Sequence, residues 1–247
     1  MFNFHRAGTV FGREMRSYFS SPVAYVFLVA FLLLAGFLTF SVTMFYERGD
    51  DNLVYFFLWH PWVYLLLVPA ATMGSWSEER RSGTIELLLT LPITLAETLV
   101  GKFLAAWAFI AIALALTCPI VFTAAWLGSP DMGAIFCGYL GSLLMAGACV
   151  AVGILASALT RSQVVGFVLA LACCLLLILA GFEPVTRMLA GWAPQAFVDG
   201  VAACSLMTHF DALQRGVIDL RDVVYFFSVM VFALVATHVV VDGRKAS

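Results

Sequence analysis

The chain has 247 residues, of which 63% are hydrophobic and 11% charged, with a formal net charge of −2. An ordinary soluble domain carries about 25% charged residues, so this composition excludes a soluble fold and places most of the chain in a bilayer. The near-neutral balance excludes a general attraction to nucleic acid. Cys118, Cys137, Cys149, Cys173, Cys174 and Cys204 lie mostly in apolar runs without a C-x-x-C pair, so they read as small buried packing residues.

Residues 1–19 do not read as a cleavable signal. Phe4, Ala7, Gly8, Phe11, Met15 and Tyr18 recur at helical spacing, with Arg6, Arg13 and Arg16 elsewhere on the wheel. The pattern predicts an amphipathic helix in the membrane interface, apolar face down, acting as an elbow for the first span. Six windows free of Asp, Glu, Lys and Arg then qualify as spans of about 20 residues: Ser17–Tyr46, Asn52–Ser77, Phe103–Pro130, Met132–Thr160, Ser162–Phe182 and Val223–Val241. The predicted fold is an all-α polytopic membrane protein with one domain over 1–247. Its transmembrane helices are expected at 22–46, 54–76, 100–127, 132–158, 163–182 and 223–241.

Six spans put both termini on one side. With that side cytoplasmic, nine basic residues (Arg6, Arg13, Arg16, Arg80, Arg81, Lys102, Arg161, Arg244 and Lys245) lie inside. Four (Arg48, Arg187, Arg215 and Arg221) lie outside, in agreement with the positive-inside rule. The outer loops hold Glu47, Asp50, Asp51, Asp131 and Asp199, and Trp59, Trp62 and Tyr64 suit an outer aromatic belt.

No ladder of ionisable residues crosses the apolar windows, which argues against an ion pump. His60 and His238 read as hydrogen-bonded interface residues. In the fourth window, Gly138, Ser142 and Ala146 form a small-residue stripe, and Cys149, Gly153 and Ser157 form another, read as lying on a different face. Pro61, Pro69 and Pro119 are expected to kink their helices.

Two connections are long. In the outer one, 183–222, Thr208 with Asp211 is expected to start a short helix that Gly216 closes. Asp219, followed by Asp222, is expected to cap the lead-in to the last span. Phe210, Asp211, Arg215, Asp219, Arg221 and Asp222 are the candidates for a gate on this side. The inner connection, Ser77–Lys102, opens with the charges Glu78, Glu79, Arg80 and Arg81 and breaks at Gly83. Thr84 suits an N-cap, Glu86 suits the positive end of a helix dipole, and Pro92 stops the chain, which predicts a short apolar helix over 84–91. Thr94 and Glu97 form a capping box for the next helix, and Lys102 marks the interface. Thr160–Gln163 repeats the capping-box spacing on the same side. A helix this short is unstable alone in water, so it docks either on its own bundle or in a groove on a cytosolic partner. The candidate docking residues are Glu78, Glu79, Arg80, Arg81, Thr84, Ile85, Glu86 and Leu88, with Arg161 from the second turn.

The run EERRSGTIELLLTLPIT followed by GKFLAAW resembles the signature of type-2 ABC transporter permeases, and in particular the gliding-motility-associated permease subunits. FFLWHPWVYLLLVPA at Phe56–Ala70 and HFDALQRGVIDLRDVVYF at His209–Phe226 are similar to the same subfamily. The resemblance implies a permease half in a bacterial inner membrane, with both termini cytoplasmic. It implies pairing with a second permease subunit, identical or different, which in some assemblies bears a large extracytoplasmic domain. It also implies two copies of a separate ABC ATPase that hold ATP and Mg. Residues 84–91 would be the coupling helix.

The chain itself matches no P-loop: at its Gly101-Lys102 pair, Ala96 replaces the first glycine and Phe103 the Ser/Thr. It is expected to be a non-catalytic subunit that binds no cofactor or metal. The leading expectation is an exporter of an amphipathic, lipidic or polymeric cargo. The rivals are an ATPase-coupled anchor or force transmitter in a surface or gliding machine and, more remotely, a cation-coupled secondary transporter.

Overall fold

The computed structural model describes residues 3–45, 53–83 and 93–243, and its described secondary structure is all helical. Four stretches are long and apolar enough to cross a membrane: Pro22–Val42, Leu95–Leu127, Met132–Leu159 and Leu220–Gly243. A fifth results if Gln163–Leu179 and Glu183–Ala190, bent by 68° at their break, count as one span.

The chain opens with α1, Phe4–Ser20, and α2, Pro22–Phe37, which continues as one wide π-helical turn to Val42. Ser21 ends α1 and caps α2, and Pro22 starts α2 without losing a helical hydrogen bond. The second apolar window is broken into α3 (Val54–Leu58), α4 (His60–Thr72) and α5 (Gly74–Arg81), with breaks at Trp59 and Met73. The third is α6 (Leu95–Ala115) followed by α7 (Cys118–Leu127), with Pro119 in the first turn of α7. Then come α8 (Met132–Leu159), α9 (Gln163–Leu179), the short helices α10 (Glu183–Ala190), α11 (Gln195–Ala203) and α12 (Leu206–Gln214), and α13 (Leu220–Gly243).

The bundle is built around α8, which is 83% buried over its most apolar window, against 22–44% for the other three single-stretch spans. Its neighbours are α4, α5, α6, α9, α12 and α13. Small side chains permit this crowding. Tyr64 hydrogen-bonds Ser142 at 3.0 Å, Gly138 lies against the Phe57 ring, and a Cβ at Gly153 would fall inside the Thr72 side chain. Both small-residue stripes therefore face the broken second window. The reading of two faces is corrected by helical geometry: a step of 11 residues is about three full turns, so Cys149, Gly153 and Ser157 stack above Gly138, Ser142 and Ala146.

The end of α5 is as expected: Gly83, at φ 72°, follows it. Asp131, read only as an outer-loop acid, accepts from the N–H groups of Gly133 and Ala134 at the start of α8. Others differ. Ser205, not Thr208, caps α12, because its hydroxyl accepts from Met207 N–H. Gly216 does follow that helix in the left-handed region, at φ 84°. The Thr160–Gln163 turn makes no capping box: the Thr160 hydroxyl accepts from Ser162 N–H, and α9 starts without a side-chain cap. Cys137, Cys149 and Cys174 are buried, whereas Cys118, Cys173 and Cys204 are exposed, so only half the cysteines serve the core.

Candidate functional site

At one end of the bundle α1, α5 and α6 converge on either side of the 84–92 connection. The predicted 84–91 helix, with Thr84, Ile85, Glu86 and Leu88, lies outside the described residues. Its two flanks are described in detail.

On the downstream flank the Thr94–Glu97 capping box is closed in both directions: Thr94 N–H donates to Glu97 Oε2 at 2.8 Å, and Glu97 N–H donates to the Thr94 hydroxyl at 3.3 Å. The other oxygen, Oε1, accepts the N–H of Asn3 at 2.7 Å. Asn3 is itself the N-cap of α1. The Thr94 and Asn3 amides donate to the two oxygens of the one Glu97 carboxylate. One carboxylate thus joins the starts of two helices 94 residues apart.

From there α1 runs alongside α6 in the same direction. Val10 meets Gly101, where an added Cβ would lie 2.7 Å from the valine, and Tyr18 stacks on Phe109 with centroids 4.9 Å apart. Ala7 and Val10 are buried. The amphipathic face expected to lie on lipid is spent in part against α6, while Phe4 points outward at 84% exposure. The helix does lead straight into the first candidate span, as an elbow would.

Between these contacts sits an ion-pair knot. Lys102 Nζ lies 2.8 Å from Glu79 on α5 and 3.1 Å from Glu14 on α1, with only 4% of its side chain exposed. Arg13 closes the ring, 2.7 Å from Glu14 and 3.7 Å from Glu79. The ammonium also lies 5.5 Å from the centroid of the buried Trp76 ring, on its face. Burial pushes the Glu14 carboxyl up, but Lys102 and Arg13 together outweigh it and hold it below the usual range. Lys102 is therefore more than an interface marker: it fastens the helix entering the 84–92 connection to the helix leaving it.

The charged docking candidates divide. Glu79 turns into the knot, and Arg80 donates to the Ala158 carbonyl at 2.6 Å, satisfying one of the last carbonyls of α8. Glu78 and Arg81 stay exposed, as does Arg161 in the neighbouring α8–α9 turn. Behind them the break between α4 and α5 is sealed by one hydroxyl: Ser157 Oγ donates to the Met73 carbonyl at 2.7 Å and accepts from the N–H groups of Trp76 and Ser77, each at 3.1 Å.

At the opposite end the gate candidates also divide. Phe210 is buried against α8 beside Gly141 and serves packing. Asp222 does not turn back on Asp219; it lies 2.6 Å from His209 Nδ1. His209 Nε2 meets the Ala203 carbonyl, and the ring stacks on Tyr225, whose hydroxyl donates to the Cys204 carbonyl at 2.6 Å. Asp219 accepts from Arg221 N–H, as a cap should. Burial pushes the Asp211 carboxyl up, against the pull of Arg215. Arg215, Asp219 and Arg221 are exposed. Glu183 begins α10 and pairs with Arg187 in the open.

His60 is buried, its Nδ1 2.9 Å from the Phe56 carbonyl, in keeping with a hydrogen-bonded histidine. Sequence spacing gave no sign of Glu14, His209 or Tyr225, and it marked Ser157 only as part of a small-residue stripe. Lys102 carried one sign: a cation about two turns inside an apolar helix needs a counter-charge from elsewhere.

The chain matches the family model described as ABC-2 family transporter protein over residues 62–241. This chain belongs to the ABC-2 transporter family. The match spans the helices from α4 to α13 and so includes Glu79, Lys102, Ser157 and the His209 cluster. Among curated proteins no match is found. The family is a membrane component of ABC transport, which makes the chain an integral membrane permease and implies association with an ABC ATPase.

Proposed function

We propose that this ABC-2 permease is the membrane subunit of an ATP-driven exporter in a bacterial inner membrane. It has six spans and two cytoplasmic termini, with α3–α5 as a broken second span and α9 as the fifth. It pairs with a second permease subunit and with two copies of a separate ATPase, which carry the ATP and Mg. Residues 84–91 dock in the ATPase groove, and Glu78, Arg81 and Arg161 meet its rim.

The observation that carries the reading is the Lys102 knot. A push on the 84–92 connection acts on a short segment whose flanks are tied to each other and to α1. Such a segment transmits displacement to α4–α6 as a unit instead of dissipating it in a loose loop. The charge-poor faces of the spans support an amphipathic, lipidic or polymeric cargo.

The test is co-purification with the ATPase. The double charge reversal Glu78→Lys/Arg81→Glu is expected to lower ATPase recovery while the permease still inserts and remains folded; undiminished recovery refutes the rim assignment. For topology, in a protein whose native cysteines are replaced by alanine, Ser82→Cys is expected to label only from inside and Asp219→Cys only from outside; the reverse pattern refutes the orientation.

A further inference from the structure

A cavity of ≈ 1000 Å³ opens between α1, α2, α4, α5, α6 and α9 beside the knot. Its two ends differ in chemistry. One wall is apolar, formed by Val26, Phe27 and Ala30 of α2 with Leu67 and Ala70 of α4. The other end holds five charged residues, the acids Glu14, Glu78 and Glu79 and the bases Arg13 and Lys102, so acids exceed bases by one. Along α2 the lining runs from Val23 to Ala30, seven steps or about 10 Å of rise. That reaches into one leaflet of a hydrocarbon core about 30 Å thick but not across it.

We propose that this cavity is a binding site for one membrane phospholipid with a zwitterionic, amine-bearing headgroup. Its phosphate faces Arg13, whose side chain is 53% exposed, its ammonium faces the exposed Glu78, and an acyl chain lies along Phe27, Ala30 and Leu67. Charge decides the headgroup: Lys102 is already held by two carboxylates, leaving an acidic mouth that repels anionic lipid and accepts an ammonium. The volume is at the upper end of those that enclose a small ligand. The lipid would fill the space between elbow and second span, with Lys102 and Phe109 of α6 at its back. The site is independent of what the protein transports.

The experiment is native mass spectrometry of the purified full chain, equilibrated in detergent with equal phosphatidylethanolamine and phosphatidylglycerol. The expected result is one retained lipid, with phosphatidylethanolamine favoured about fivefold, as one exposed ion pair supports. Glu78→Lys, a surface change, is expected to reverse that preference, and Ala30→Trp to abolish retention by filling the cavity. Equal retention of both lipids by the wild type, an unchanged preference in Glu78→Lys, or a bound lipid in a folded Ala30→Trp protein overturns the proposal. So does a purified dimer without lipid, which would give the cavity to a second subunit. If Ala30→Trp loses its helical circular dichroism, the Glu78→Lys result decides.

Discussion

The two ends of the bundle are fastened by different means. Around Lys102 the fastening is ionic, with two carboxylates and a guanidinium around an ammonium that water barely reaches. Around His209 it rests on one ion pair or hydrogen bond, backbone carbonyls at helix ends, ring stacking and the buried Phe210. An ionic fastening between helices is unforgiving, because removing one partner strands the other charge. A packed fastening fails gradually, by volume.

Phe210→Ala should test the packed end most severely, with a loss of about 3–5 kcal/mol, measured as a lower thermal unfolding midpoint in detergent. Lys102→Met should come next. Stranding a buried partner costs about 3–5 kcal/mol, but Glu14 and Glu79 keep 19% and 18% of their side chains exposed, so the loss should fall below that range. Its distinguishing mark is rescue: Lys102→Met with Glu14→Gln and Glu79→Gln should recover most of the midpoint. No such rescue would show that the knot is not ionic in effect.

His209→Phe keeps a ring on Tyr225 but leaves Asp222, 8% exposed, without the imidazole. The expected loss is about 1–3 kcal/mol, with faster hydrogen exchange at the starts of α12 and α13. Acidification should separate the ends further. The Glu14 carboxyl is depressed below 4.5 in the fold, so its contribution is fully present above that pH and is lost as pH falls through the lower folded value. Exchange protection of α1 should therefore fall below pH 4.5, and this acid loss should be weakened in Glu14→Gln. The smallest effect belongs to Glu183→Gln. Its partner Arg187 is 77% exposed, and the midpoint should move by less than about 0.5 kcal/mol equivalent.

Local features were legible in the sequence because they depend on neighbouring residues. The Thr94–Glu97 box and the helix break at Gly83 each need only a few residues of context. The knot was not legible, because Glu14 lies 88 residues from Lys102 and no periodicity encodes that approach. Glu79 and Arg80 looked like a docking rim because a charge run after a span usually faces water. Here the helix continues to Arg81 and directs one to Lys102 and the other to Ala158. The second window read as one apolar run with kinks at Pro61 and Pro69; the break at Trp59 falls just before Pro61, whereas the break at Met73 is held by Ser157 from across the bundle.

Ser157 has a consequence for the path of the chain. In hydrocarbon, a backbone amide without a partner is driven back into a helix. The N–H groups of Trp76 and Ser77 escape that pressure only because one hydroxyl from α8 accepts both, while donating to Met73. That single oxygen holds the angle at which α5 leaves α4. In Ser157→Ala the Trp76 and Ser77 amides would turn back toward ordinary helical partners, and α5, with Glu79 and Arg80 on it, would take a new direction.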